Sequence, residues 1–166
     1  MNLTNLVEKI AFHRRQKELD KYANNGLAMQ QEVLHYLVEY AKDTEYGRNH
    51  LFSTIQSYDD FVQNVPVNTY EELKGDIDRM RHGEENILWP GQVKWYAKSS
   101  GTTNDKSKFI PVSPEALQHT HYQGPKDVVA FYLQNNPNSH LFEGKSLILG
   151  GSHSPNYNLP DSLVGD

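Results

Sequence analysis

The chain has 166 residues, 37% hydrophobic and 22% charged, and its 16 Lys plus Arg against 21 Asp plus Glu leave a net charge of −5. That is enough chain for a domain with a core, too apolar for a disordered tail, and too acidic for a general nucleic-acid binder, which presents a basic face. No cysteine is present, which excludes disulfides, thiolate zinc sites and cysteine nucleophiles; with no signal-peptide core and no run of ~18 apolar residues, a cytoplasmic location is expected.

Leu3, Leu6, Val7 and Ile10 recur at helical spacing and predict one face of a helix running towards Tyr22. Asn24-Asn25-Gly26 is expected to stop it, since Asn and Gly tolerate the left-handed conformation of a helix end. Leu34, Leu37, Val38 and Ala41 predict a second amphipathic helix, ended by Gly47. Ser57 and Asp60 resemble a capping box for a short helix closed by Pro66. Thr69 and Glu72 form a better one, for a helix reaching about Arg81 and stopped by Gly83. Packing is the ordinary role of such faces.

Beyond residue 90 the character changes. Val93 to Lys98 and Lys108 to Val112 are rich in strand formers, so the stretch between them is a loop joining two strands. Pro111 limits the second to a short or edge strand. Ser113 caps a helix with Pro114 at its first position, and Gly124-Pro125 kinks or splits it. "KSLILGGS", Lys145 to Ser152, reads as a buried strand entering a turn. The expectation is an α/β chain, mainly helical over 1–90, with strands, a loop and a helix over 91–166. Trp89 and Trp95 are expected as core anchors.

The loop itself is "KSSGTTNDKSKFIPV", residues 98–112. Successive backbone N–H groups in a tight turn make a concave anion site, and Gly101 allows close approach. The hydroxyls of Ser99, Ser100, Thr102 and Thr103 can donate to phosphate oxygens, and Lys106 and Lys108 supply charge. The same composition also suits a plain polar turn. A Walker loop is excluded: its glycine positions hold Asp105 and Ser100, and this loop feeds a strand instead of a helix.

"SSGTTNDKSKFIPV" resembles the first signature motif of the adenylate-forming superfamily, which includes acyl-CoA synthetases and luciferases. Its spacing is similar to one branch, the auxin-responsive acyl acid amido synthetase family, and "FVQNVPVNTYEEL", "ILWPG" and "GKSLILGGS" resemble that family's bacterial members. The resemblance implies that residues 1–166 are the N-terminal portion of the large adenylate-forming domain of a longer enzyme. It implies a ligase that activates a carboxylic acid with ATP as an acyl-adenylate and passes the acyl group to an amine such as an amino acid. It also implies that Ser99, Ser100, Gly101, Thr102, Thr103 and Lys108 hold the phosphates, with Mg²⁺ bridging phosphate oxygens. The family usually has glycine where this chain has Asp105. No catalytic residue and no protein metal ligand is assigned. The chain alone is expected to be inactive, and to self-associate through apolar faces around Leu147–Leu149 and Val128–Leu133. A nucleotide- or anion-binding module without catalysis, or an interaction protein, is the alternative.

Other constellations fail on spacing. His119 and His121, two apart on a helix, point about 200° apart. His13, His35, His50, His82, His140 and His153 show no metal-ligand spacing. Asp76 and Asp78 suggest a calcium loop, but the required glycine position is Arg81. Ser99 and Ser100 lack the G-x-S-x-G elbow of a hydrolase.

Overall fold

A computed structural model describes residues 3–99 and 107–165. The first half is helical and a mixed four-stranded sheet follows. The chain divides into two compact units, residues 1–29 with 115–150 and residues 30–114 with 151–166.

The first unit begins with α1 (Leu3–Val7), a π-turn over Glu8–Phe12 and the start of α2 (His13–Ala41). Asn24-Asn25-Gly26 breaks this stretch where expected, with two helices meeting at Asn25. Asn25 alone leaves helical geometry, at φ −131° and ψ 25°, and the second helix runs to Ala41. A helix end of the expected kind needs a left-handed residue, and neither Asn25 nor Gly26 has positive φ, so the stop signal produces a kink. The apolar stripe read from Leu3, Leu6 and Ile10 is exposed. Thr4 is buried instead, and its hydroxyl accepts the Phe142 N–H at 3.2 Å.

After α6 (Pro114–Ala116), the turn widens to π geometry over Leu117–His121, with the Tyr122 N–H donating to the Leu117 carbonyl at 2.8 Å. α7 (Gln123–Asn135) follows with Pro125 in its first turn. Proline has no N–H to return to the preceding turn, so the helix splits where Gly124-Pro125 predicts. Leu19, Ala130 and Leu133 are buried in this unit. Arg15 donates twice to Asp127, from Nε at 2.6 Å and Nη2 at 2.9 Å. The same carboxylate accepts from the Gln123 side chain at 2.9 Å. Hydrogen bonding to Arg15 holds the Asp127 carboxyl below its ordinary value.

Residues 145–150 form no strand, and Leu147, Ile148 and Leu149 are 88%, 85% and 90% exposed. The expectation of a buried strand is thereby corrected. β-forming side chains make a strand only when a neighbour takes up the backbone N–H and C=O groups. The sheet's four members are drawn from other segments.

In the second unit, Gly47 is inside a short helix, α3 (Glu45–Asn49), not at the end of α2. It is glycine because the chain folds back tightly: a Cβ there would lie 2.1 Å from the Ala41 carbonyl oxygen. That oxygen is already held by the Thr44 N–H at 3.0 Å and hydroxyl at 2.7 Å, while Thr44 Oγ1 caps α3 through the Gly47 N–H at 2.9 Å. α4 (Tyr58–Asn64) has the predicted capping box, with Ser57 accepting the Asp60 N–H at 3.1 Å and Asp60 accepting the Ser57 N–H at 2.9 Å. α5 (Tyr70–Arg81) starts where Thr69 donates its N–H to Glu72 at 2.6 Å and its hydroxyl at 2.7 Å.

The sheet has the order β2-β1-β4-β3. β1 (Trp95–Lys98) pairs antiparallel with β2 (Phe109–Val112) and parallel with β4 (Leu163–Gly165), which pairs antiparallel with β3 (His153–Pro155). Pro111 is tolerated because β2 is an edge strand. Ile77, Met80, Ile87, Val93, Tyr96 and Val164 bury one another, with Tyr70, Leu73, Trp89 and Phe109 packed around them. Burial pushes the Tyr96 hydroxyl up to about 12, and it donates to the Val93 carbonyl at 3.0 Å. Trp89 lines an open apolar groove of about 340 Å³ with Val38, Phe52 and Phe61. Trp95 is 42% exposed, so it is no core anchor: its neighbour Tyr96 takes the inward position of the strand.

Candidate anion-binding hairpin

The β1–β2 hairpin joins the two strands expected on either side of the loop. Trp95 faces Val112 and Lys98 faces Phe109 across the ladder. One step further out, the Ser99 N–H donates to the Lys108 carbonyl at 2.9 Å, and the Lys108 N–H donates to Ser99 Oγ at 3.0 Å. Ser99 and Lys108 are therefore brought together at the mouth of the loop. Ser100, Gly101, Thr102 and Thr103, together with Asp105 and Lys106, lie outside the described residues.

Two side chains of α5 support β2. Tyr70 and Arg81 are eleven residues apart, about 20° around a helix, so they project from one face. The Tyr70 hydroxyl accepts the Phe109 N–H at 3.0 Å, and its ring centroid lies 5.4 Å from Lys108 Nζ. Arg81 lays its guanidinium 3.7 Å from the Phe109 ring centroid. Its Nη1 donates to Asp78 at 3.1 Å, and its carbonyl accepts from the Asn156 side chain at 3.1 Å. Its Nε is buried without a hydrogen-bond partner among the described residues. Neither Tyr70 nor Arg81 carries a sequence signal for this role; only the packing of α5 against β2 reveals it.

Among the described residues no carboxylate forms an ion pair with Lys108. A lysine without such a partner suits an anion. Among the described residues no group of three or more His, Asp or Glu is placed to hold a metal ion, and no helix is long and apolar enough to cross a membrane.

Residues 15–158 match the GH3 family N-terminal domain, and the chain belongs to the GH3 family. Among similar proteins, the indole-3-acetic acid-amido synthetase GH3.15 of Arabidopsis thaliana is 32% identical over 101 residues, 60% of this chain and 17% of that protein. GH3.17 of the same plant, also an indole-3-acetic acid-amido synthetase, is 32% identical over 104 residues, covering 61% and 17%. The solved GH3.15 acyl acid amido synthetase superimposes with a TM-score of 0.73 at 27% identity, over 90% of this chain and 26% of that one. A second structure, AtGH3.15 in complex with 2,4-DB, gives 0.71 at 29% identity, over 84% and 24%. The chain thus spans about a sixth of the length of the curated relatives it matches.

Proposed function

We propose that this chain supplies the phosphate-binding end of an ATP-dependent acyl acid amido synthetase of the adenylate-forming superfamily. The family match supports the reading, as does a Lys108 ammonium with no ion-pair partner among the described residues. In the longer protein a small carboxylic acid is activated as its acyl-adenylate, pyrophosphate leaves, and an amine such as an amino acid takes the acyl group. The work of Lys108 and Ser99, with Ser100, Gly101, Thr102 and Thr103 as the resemblance implies, is electrostatic: donors meet charge that builds on the departing phosphates. The described residues fit a phosphate group in this sense. Mg²⁺ accompanying the nucleotide would offset phosphate charge, with no residue of this chain assigned to hold it. The resemblance to bacterial members and the cytoplasmic location belong to the same proposal.

The test is a titration of the chain with MgATP. Hydrogen bonds to charged groups contribute about 1.5–3 kcal/mol, so Lys108→Ala is expected to weaken binding by roughly tenfold or more. Equal affinity in the two proteins removes Lys108 from the site. Absence of binding by the wild-type chain at millimolar nucleotide removes the phosphate reading of the hairpin.

A further inference from the structure

We propose that Tyr70 is a positioning residue that presets Lys108 for anion capture. This rests on the reading of Lys108 as a phosphate ligand and adds to it the device that aims the ammonium. Lys108 sits beside an edge strand, whose outward N–H groups have no ladder partner. At Phe109 that N–H is taken by the Tyr70 hydroxyl at 3.0 Å. On the other side of the strand, Ser99 holds both the N–H and the carbonyl of Lys108, at 3.0 and 2.9 Å. The backbone that carries the lysine is therefore fixed from α5 and from β1 at once.

The side chain is guided by the same residue. A free lysine has many rotamers, and ordering it at the moment of binding costs affinity. The electron-rich face of the Tyr70 ring, 5.4 Å from Nζ, favours the subset that keeps the ammonium over that ring. A carboxylate in that place would orient the lysine equally well but would compete with phosphate and offset its charge. An aromatic face orients the cation without neutralising it. Arg81, stacked on Phe109 at 3.7 Å from the same face of α5, holds the strand against the helix.

The experiment compares wild type, Tyr70→Phe, Tyr70→Leu and Lys108→Ala, with inorganic tripolyphosphate as the probe. Dissociation constants and the Lys108 ε-methylene NMR shift are measured in each, and thermal midpoints establish that each variant is folded. In wild type the ε-methylene resonance is expected to be shifted upfield by the Tyr70 ring. Tyr70→Phe keeps the shift and binds within about twofold of wild type, whereas Tyr70→Leu loses it and binds roughly two- to fivefold more weakly. Lack of an upfield shift in wild type overturns the proposal without need of any variant. So does unchanged binding by a folded Tyr70→Leu while Lys108→Ala loses it, and in that case the phosphate reading stands. If wild type and Lys108→Ala bind tripolyphosphate alike, or wild type does not bind it, the phosphate reading falls and takes this proposal with it.

Discussion

In the sheet-bearing unit, Ile77, Met80, Ile87, Val93, Tyr96 and Val164 form one buried cluster between α5 and the strands. In the helical unit the buried apolar residues are Leu19, Ala130 and Leu133, and the most closely made long-range link is the Arg15–Asp127 pair. The helical unit also carries Leu147, Ile148 and Leu149, which are as apolar as the other unit's core yet exposed. Apolar content, then, does not bury itself. It is buried where a helix face and a ladder of paired strands arrive together. Where they do not, a directional polar contact carries more of the local stability. Apolar burial is indifferent to pH near neutrality; an ion pair is not.

The largest effect is expected where the two units differ most. Met80→Ala opens a void in the buried cluster and should destabilise the sheet-bearing unit by about 2–5 kcal/mol. Ile148→Ser should stay within about 0.5 kcal/mol, as surface changes do. Urea midpoints measured at constant slope compare the two; a comparable loss for Ile148→Ser would show that residues 147–149 are packed in solution and would erase the difference.

A smaller effect is expected at Asp127. Its carboxyl, held below the ordinary 3.8 by Arg15, contributes stability that is complete above the unfolded-state value and is lost as pH falls through the lower folded-state value. Asp127→Asn should therefore destabilise the helical unit at pH 7 by about 1.5–3 kcal/mol, the range for hydrogen bonds to charged groups. The gap from wild type should close on acidification. Hydrogen exchange at Ala130 and Leu133 against pH reads this directly; a gap that stays constant down to the folded-state value would assign their protection to packing alone.

The smallest change concerns α5 as a rigid platform. Gly75 lies exposed in the interior of that helix, with nothing within 4 Å of a would-be Cβ. Gly75→Ala should stabilise by about 0.5–1 kcal/mol through lost unfolded-state freedom. A lowered thermal midpoint would mean that α5 needs flexibility at that point.

Where structure follows from neighbours within a few residues, it is readable from the chain. The Ser57–Asp60 and Thr69–Glu72 contacts, the Ser113-Pro114 start and the two strands flanking the loop all depend on such short-range chemistry. What stays hidden depends on distant partners. Asn24-Asn25-Gly26 marks a true break, but that a second helix starts at once, without a left-handed cap, is not written in it. Gly47 resembles a terminator and is instead a close-approach residue, a role set by the Ala41 carbonyl. "SLIL" has the composition of a strand, whereas β3 and β4, at His153–Pro155 and Leu163–Gly165, escape a sequence reading because their pairing, not their residues, makes them strands. At the candidate site, the resemblance singles out Ser99 and Lys108, and the structure joins them. Tyr70 and Arg81 reach β2 only through packing, which no local pattern in the helix encodes.

The parallel pairing of β1 with β4 also has a consequence in time. The hairpin partner β2 ends at Val112, whereas the other neighbour of β1 begins at Leu163, 51 residues later. On a ribosome adding about 5–20 residues per second, that interval is roughly 3–10 s. A hairpin forms in microseconds, so β1 and β2 can zip together as soon as they emerge. For those seconds the inner edge of β1 has no strand to lie against, and the middle of the sheet closes only after nearly all of residues 1–166 have been made.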